Sequence, residues 1–122
     1  IVRMGFKDTI KGSLGLIRAK IFCVTAGNGV YIGKHCSLKG KHNITLEDSV
    51  TVRPYAQIWS GGVSIGDDTW IGTNVVIAGT VEIGKHCVIG ANSVVTHDIP
   101  DYSVVAGCPA RVIKQIKKYA GE

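Results

Sequence analysis

The chain has 122 residues, a formal net charge of +5 and 16 glycines. That length holds one domain, and the modest positive charge points to a small anionic ligand or surface; no RNA-binding or helix-turn-helix pattern makes nucleic acid the partner. No signal peptide or membrane-spanning stretch stands out, and a chain that opens on Ile1 and not Met is expected to be trimmed or part of a longer product.

Residues 1–29 read as an N-terminal cap. Ile10, Leu14, Ile17 and Ile21 are spaced like one face of a helix, with Lys7, Lys11, Arg18 and Lys20 around it. Gly12 and Gly15 weaken that helix. The segment shields the first coil or, in a second reading, lies as a basic amphipathic segment on an anionic membrane surface.

From residue 30 to about 106 a six-residue period takes over. Ile65, Ile71, Ile77, Ile83, Ile89 and Val95 recur six apart, and four positions after each come Thr69, Val75, Val81, Cys87, Ser93 and Ile99, small or apolar every time. Neither a helix, with its period near 3.6, nor a flat strand, with period 2, produces this. It marks a solenoid with three short flat faces, eighteen residues to a coil, with the aliphatic residue pointing into a triangular core. Gly66, Gly72, Gly84 and Gly90 follow the aliphatic residue and are expected to turn the corners, where φ above zero is needed. Upstream, Ile32, Leu38 and Ile44 are six apart, and so are Leu46, Val52 and Ile58. The register slips by two between Ile44 and Leu46 and by one between Ile58 and Ile65, which predicts corners that bulge outward. A β-sandwich with glycine-rich turns would not generate six unbroken hexads.

Cys23, Cys36, Cys87 and Cys108 form no CxxC pair and no zinc spacing with histidine. Cys36 and Cys87 hold the small inward position, where a buried thiol acts as a small hydrophobe. All four read as reduced, hence a cytoplasmic protein. Residues 107–122 read as a closing loop followed by a short basic helix over Val112 to Tyr119.

Three stretches carry a family resemblance. Asp68 to Ile77 reads DTWIGTNVVI, Val88 to Pro100 reads VIGANSVVTHDIP, and Ser103 to Ile113 reads SVVAGCPARVI. In order and spacing they resemble the hexapeptide-repeat acyltransferases, most of all the maltose, galactoside and polysaccharide O-acetyltransferases. The resemblance implies a left-handed parallel β-helix with short helical caps. It also implies a homotrimer, acetyl-CoA as co-substrate and active sites between subunits. By the same resemblance Thr73 and Ala91 match backbone contacts to acetyl-CoA, and Thr96 with His97 match the family's Thr-Lys pair. Arg111 and Lys114 match basic residues near the nucleotide phosphates, and Trp70 matches a wall of the acyl pocket. Thr73, Ala91 and Pro109 are eighteen apart, so they are expected in one vertical column of small residues beside which a pantetheine arm fits. No metal is expected.

The chain departs from the family at one place. The resembling enzymes send out a loop with the catalytic histidine just before the coil that matches Ile65 to Gly72. Here Ile58 to Ile65 passes that point with no loop and no histidine. His35 and His86, each in a Gly-Lys-His-Cys hexad, read as decoration. His42 lies in a bulge before the register slip, on a corner column expected to run through Gly79 to His97, about 14 Å away. His42 is therefore the expected general base, and Gly79 and His97 are counted with the donor contacts. The sequence thus supports an O-acetyltransferase acting on a sugar or glycan hydroxyl. The alternative is a catalytically inactive trimeric scaffold that keeps the CoA groove. A zinc-dependent hydratase of the carbonic anhydrase type needs three converging histidines, and the closing CoA motif argues against it. Lys39, Lys41 and Arg53 would suit an anionic sugar or sugar nucleotide as acceptor.

Overall fold

The computed structural model describes residues 2–3, 24–40, 44–60 and 62–116. The expected N-terminal helix and His42 lie outside them. The chain winds as a β-solenoid, each coil laying one short strand on each of three faces. The first coil carries β2 (Val24–Ala26), β3 (Tyr31–Ile32) and β4 (Ser37–Gly40); the second carries β5 (Ile44–Leu46), β6 (Thr51–Val52) and β7 (Gln57–Ser60). The third has β8 (Val63–Ile65), β9 (Trp70–Ile71) and β10 (Val76–Ala78), and the fourth β11 (Val81–Ile83), β12 (Val88–Ile89) and β13 (Val94–Val95). A partial fifth coil begins with Ile99 bridged to Ile83 and continues as β14 (Ser103–Gly107). The coiling begins at Val24, six residues before the expected boundary.

Three sheets result. The first face stacks β2, β5, β8 and β11, with β1 (Val2–Arg3) antiparallel at its edge. The second stacks β3, β6, β9, β12 and β14, and the third β4, β7, β10 and β13. Pairings between coils are parallel, which places equivalent side chains above one another about 4.8 Å apart.

The second and third faces each turn one column inward, and the three-residue strands β5, β8 and β11 of the first face turn both ends inward. Ile32, Val52, Ile71, Ile89 and Val105 line the second face, Leu38, Ile58, Ile77 and Val95 the third, and all are buried. The small positions Thr69, Cys87 and Ser93 are buried as expected. Their polar atoms bond locally: the Thr69 hydroxyl donates to Gly84 O at 2.7 Å and accepts from the Cys87 amide at 3.2 Å. The Ser93 hydroxyl donates to Gly90 O at 2.6 Å. No described buried side-chain N or O atom lacks a partner.

Four expectations need correction. The hexad count puts Val63 outside with Trp59, Trp70 and Val76, but it is 2% exposed: β8 is three residues long and turns both its ends inward. The corner glycines do not carry the positive φ. That conformation falls two residues later, at Asp68, Asn74, His86 and Asn92. The glycines answer close packing instead. A Cβ on Gly66 would stand 2.6 Å from Lys85 N, and one on Gly72 2.7 Å from Ala91 N. Gly90 is looser, with Ala106 Cβ at 3.4 Å. Gly72→Ala is therefore expected to cost about 1–3 kcal/mol, the range for overpacking. Gly90→Ala should stay within about 0.5 kcal/mol. Urea unfolding of the two variants measures the difference, and equal losses would refute the packing account.

The third correction concerns the end of the chain. Ala110–Gln115 is not the start of a helix; it is β15, antiparallel to β14. An unpaired β14 would leave a row of backbone donors and acceptors open, and β15 satisfies them. The spacing of Val112, Ile113 and Ile116 mimicked a helix face. Fourth, the coils are not uniformly eighteen residues. Tyr31 pairs with Thr51, Thr51 with Trp70, Trp70 with Val88 and Val88 with Val104, so successive steps are 20, 19, 18 and 16 residues. Pro109 therefore misses the Thr73–Ala91 column. Ile89 pairs with Val105, which brings Gly107 over Ala91, and Pro109 sits in the β14–β15 turn behind a cis bond to Cys108. Among the described residues no helix is long and apolar enough to cross a membrane.

Candidate functional site

The three edges of the prism differ in what fills their second corner position. On the first edge, between the first and second faces, that position holds Asn28, Asp48, Asp67, Lys85 and Asp101. Carboxylates there reach down one coil and accept backbone N–H bonds: Asn28 N–H donates to Asp48 at 2.8 Å, Asp48 N–H to Asp67 at 2.9 Å and Lys85 N–H to Asp101 at 2.9 Å. The amide is capped by the chain itself wherever an aspartate stands above it.

On the second edge, between the second and third faces, the same position holds Lys34, Pro54, Thr73 and Ala91. None of these side chains can accept as a carboxylate does. The amides of Thr73 and Ala91 have no bonding partner among the described residues, and both residues are exposed. The next position still zips the coils together: Tyr55 N–H donates to Lys34 O at 3.2 Å, Asn74 N–H to Pro54 O at 3.1 Å and Asn92 N–H to Thr73 O at 3.0 Å. Asn74 Nδ2 donates to Asn92 Oδ1 at 2.9 Å on the outside. The result is a rail of small residues with open backbone donors, which suits a thin ligand carrying carbonyl groups.

Arg111 closes the upper end of this rail. The hairpin register sets it opposite Ala106, which packs on Gly90. Its Nη1 donates to Ala110 O at 3.1 Å, and its side chain is exposed. Lys114 lies opposite Val104 on the second face. Trp70 is on that face too, in line with Thr51 and Val88, and is 39% exposed.

Thr96, His97 and Gly79 lie elsewhere. They occupy the third edge, between the third and first faces, in the links after β13 and β10. Thr96 Oγ1 and His97 Nδ1 are 2.9 Å apart, and both residues are exposed. In sequence His42 falls in the link between β4 and β5, the counterpart of these links in the first coil. The whole strand width of the third face separates the Thr73–Ala91 rail from the Thr96–His97 pair. A ligand that touches both sets reaches across that face or between two copies of the chain. Only two residues connect β7 to β8, at the place where the resemblance leads one to look for a histidine loop.

His35 and His86 are held as corner residues. Each ring stacks on a tyrosine one coil above, His35 on Tyr55 and His86 on Tyr102, with centroids 5.1 Å apart in both pairs. His86 Nδ1 also meets Asp68 Oδ2 at 3.1 Å. Burial pushes the Cys36 and Cys87 thiols above their ordinary range, which keeps them protonated. Among the described residues no cluster of histidine, cysteine and carboxylate side chains could hold a metal ion. Thr73 and Ala91 were expected in one column; the contrast between this open edge and the capped first edge was not read from the sequence. Its signal was there: aspartate at the second corner position of one edge, proline, threonine and alanine on the other.

Residues 62–97 match the family model for the bacterial transferase hexapeptide (six repeats). The chain is 41% identical over 96 residues to the galactoside O-acetyltransferase of Escherichia coli strain K12, covering 78% of this chain and 45% of that protein. It is 36% identical over 103 residues to the serine acetyltransferase of Bacillus subtilis strain 168, covering 77% of this chain and 43% of that one. The crystal structure of a hexapeptide-repeat acetyltransferase from Vibrio cholerae O1 biovar eltor, complexed with acetyl coenzyme A, superposes with a TM-score of 0.70 at 27% identity, covering 79% of this chain and 62% of that chain. The chain thus spans less than half the length of these two curated relatives. With the six-residue period and the stacked corners, these matches show that the chain belongs to the hexapeptide-repeat transferase family and folds as its left-handed parallel β-helix.

Proposed function

We propose that this chain is an acetyl-CoA-dependent O-acetyltransferase that modifies a sugar or glycan hydroxyl. One observation carries the reading: the second edge offers the open amides of Thr73 and Ala91 beside the neighbouring column that Arg111 closes. Amide donors at coil spacing fit a pantetheine chain, and a guanidinium at the end of the rail fits a phosphate. Galactoside and serine acetyltransferases match the chain comparably, and the sugar assignment follows the higher identity.

The thioester supplies an activated acetyl group. Transfer needs a base that takes the proton from the acceptor hydroxyl as its oxygen attacks the acetyl carbonyl; the carbon–sulfur bond breaks and the departing sulfur takes up a proton. His42 is the proposed base, since His35 and His86 are engaged in stacking and His97 lies on the donor side. Backbone N–H groups would donate to the carbonyl oxygen as charge builds there. Trp70, Gly79, Thr96, His97 and Lys114 complete the proposed donor site. Pro109 joins it only through the hairpin turn beside Arg111.

A homotrimer is part of this reading, because the rail and the Thr96–His97 pair lie on different edges and a second copy can bring them together. Exposed Trp59 and Trp70, at 48% and 39%, are the apolar surface such packing would cover. Light scattering is expected to give three times the monomer mass, and a stable monomer at micromolar concentration would refute it. Reduced, unreactive Cys36 and Cys87 suit a cytoplasmic setting.

Thiol release from acetyl-CoA, measured against sugars, nucleotide sugars, glycans and serine, tests the activity. Release that depends on a sugar hydroxyl supports it; release with serine alone moves the protein to amino-acid acetylation. The short β7–β8 link favours a second reading, a scaffold that binds acetyl-CoA and transfers nothing. Arg111→Ala is expected to weaken CoA by about 1–3 kcal/mol, and to weaken dephospho-CoA less if the guanidinium meets the 3′-phosphate. Equal losses for the two ligands, read by calorimetry, would place Arg111 elsewhere.

A further inference from the structure

We infer that Arg53, with Lys34 and the stacked His35–Tyr55 rings beside it, recognises a negative charge on the acceptor, so that the substrate is an anionic sugar. The inference rests on the transferase reading and names the acceptor class for the same edge.

Among the described residues the carboxylates are unevenly placed. The described carboxylates are Glu47, Asp48, Asp67, Asp68, Glu82, Asp98 and Asp101. All stand on the first edge, the first face or the third edge. The second edge has none from Gly33 to Arg111. It carries Lys34 and Arg53 in the lower coils and Arg111 at the top, with neutral Thr73, Asn74, Ala91 and Asn92 between. Neither Lys34 nor Arg53 has an acidic partner among the described residues, and both are exposed. Cations gathered without counter-ions raise the local potential and favour an anion from solution.

The register fixes where Arg53 stands. Its N–H donates to Ile71 O at 2.9 Å, so it lies one coil below Gly72, next to Thr73 on the rail. From Arg53 the column passes Gly72, Gly90 and Ala106 to Arg111, about four strand spacings or 19 Å. Two cationic ends separated by a neutral stretch take two anionic groups. Arg111 serves the phosphates of the donor. Arg53 lies beyond the lower open amide, at the end where a thioester would meet its acceptor.

The ring pair adds a second feature. His35 and Tyr55 stack with an interplanar angle of 21°, and Tyr55 is 55% exposed. An exposed aromatic face packs against the apolar face of a pyranose ring. A guanidinium next to it offers a planar fork for a carboxylate or phosphate. Together they fit a six-membered sugar that carries a charge; the ring face serves a neutral sugar too, and the guanidinium adds nothing for it.

The test compares three matched ligands, a methyl hexoside, the corresponding hexuronate and the hexose 1-phosphate. They are titrated calorimetrically, with CoA present, into the parent chain, Arg53→Ala and Arg53→Lys. Both anionic sugars are expected to bind the parent at least about tenfold tighter than the neutral one. Arg53→Ala should remove that advantage, Arg53→Lys restore part of it, and neither should change acetyl-CoA affinity more than about twofold. The stronger of the two anionic ligands identifies the charge as carboxyl or phosphoryl. Equal binding of neutral and charged sugars, no binding of any, or a loss of acetyl-CoA affinity in Arg53→Ala overturns the inference. Binding is read without turnover. Charge-selective binding with no acetyl transfer removes the transferase reading and leaves this site standing. Equal transfer to neutral and charged sugars does the reverse.

Discussion

His42→Ala is expected to lower the turnover number for acetyl transfer by about 10²–10⁴, the range for loss of a general base, while acetyl-CoA affinity stays nearly unchanged. The argument is one of elimination. His35 and His86 are committed to stacking at corners, and His86 is also beside Asp68. His97 is joined to Thr96 on the third edge. His42 remains, in the link between β4 and β5, near in sequence to the coils that hold Lys34 and Arg53. His86→Ala serves as the control and should change turnover less than about threefold. Steady-state kinetics with thiol release checks both. If His42→Ala retains full activity, the base is His97, a group on the acceptor or a residue outside this chain.

Ile71→Ala is expected to cost about 2–5 kcal/mol of folding free energy, measured by urea unfolding at fixed protein concentration. Ile71 is fully buried between Val52 below and Ile89 above. Each coil of a solenoid contacts only its neighbours, so a cavity in the middle coil weakens two interfaces at once. Domains are commonly stable by only about 5–15 kcal/mol, so the loss is a large share. Thr51→Ala, in the same strand pair but on the outer face, should stay within about 0.5 kcal/mol. A loss below about 1 kcal/mol at Ile71 would mean that the core relaxes around the gap.

The inward columns were legible in the sequence because burial and period coincide. Ile65, Ile71, Ile77, Ile83, Ile89 and Val95 each reach the core, and the small residues four positions on fill its corners. Removing a large side chain from water dominates the energy at those positions, so the pattern speaks before any fold is known. The second register slip fell where expected, between Ile58 and Ile65, whereas the first lies after β4 and ahead of Ile44, since Ile44 and Leu46 belong to one strand. Composition and spacing therefore determined the solenoid, its three faces and its single core.

The site depended on the length of every link. Thr73 and Ala91 share an edge because the third and fourth coils differ by eighteen residues. Pro109 does not, because the next step is sixteen. A count along the chain cannot see a shortened corner in advance, since the link after β13 has no aliphatic residue to announce it. The final segment shows the same limit: Val112, Ile113 and Ile116 suit a helix face locally, and the open edge of β14 decided for a strand. Glycine at the corners was read as a backbone need, whereas the backbone of the next coil, 2.6 Å from a would-be Cβ at Gly66, sets it. Local pattern determined which residues go inside. Tertiary structure alone decided which outward residues meet, because an edge is made of residues from different coils, and only stacking sets Arg53, Thr73, Ala91 and Arg111 along one edge.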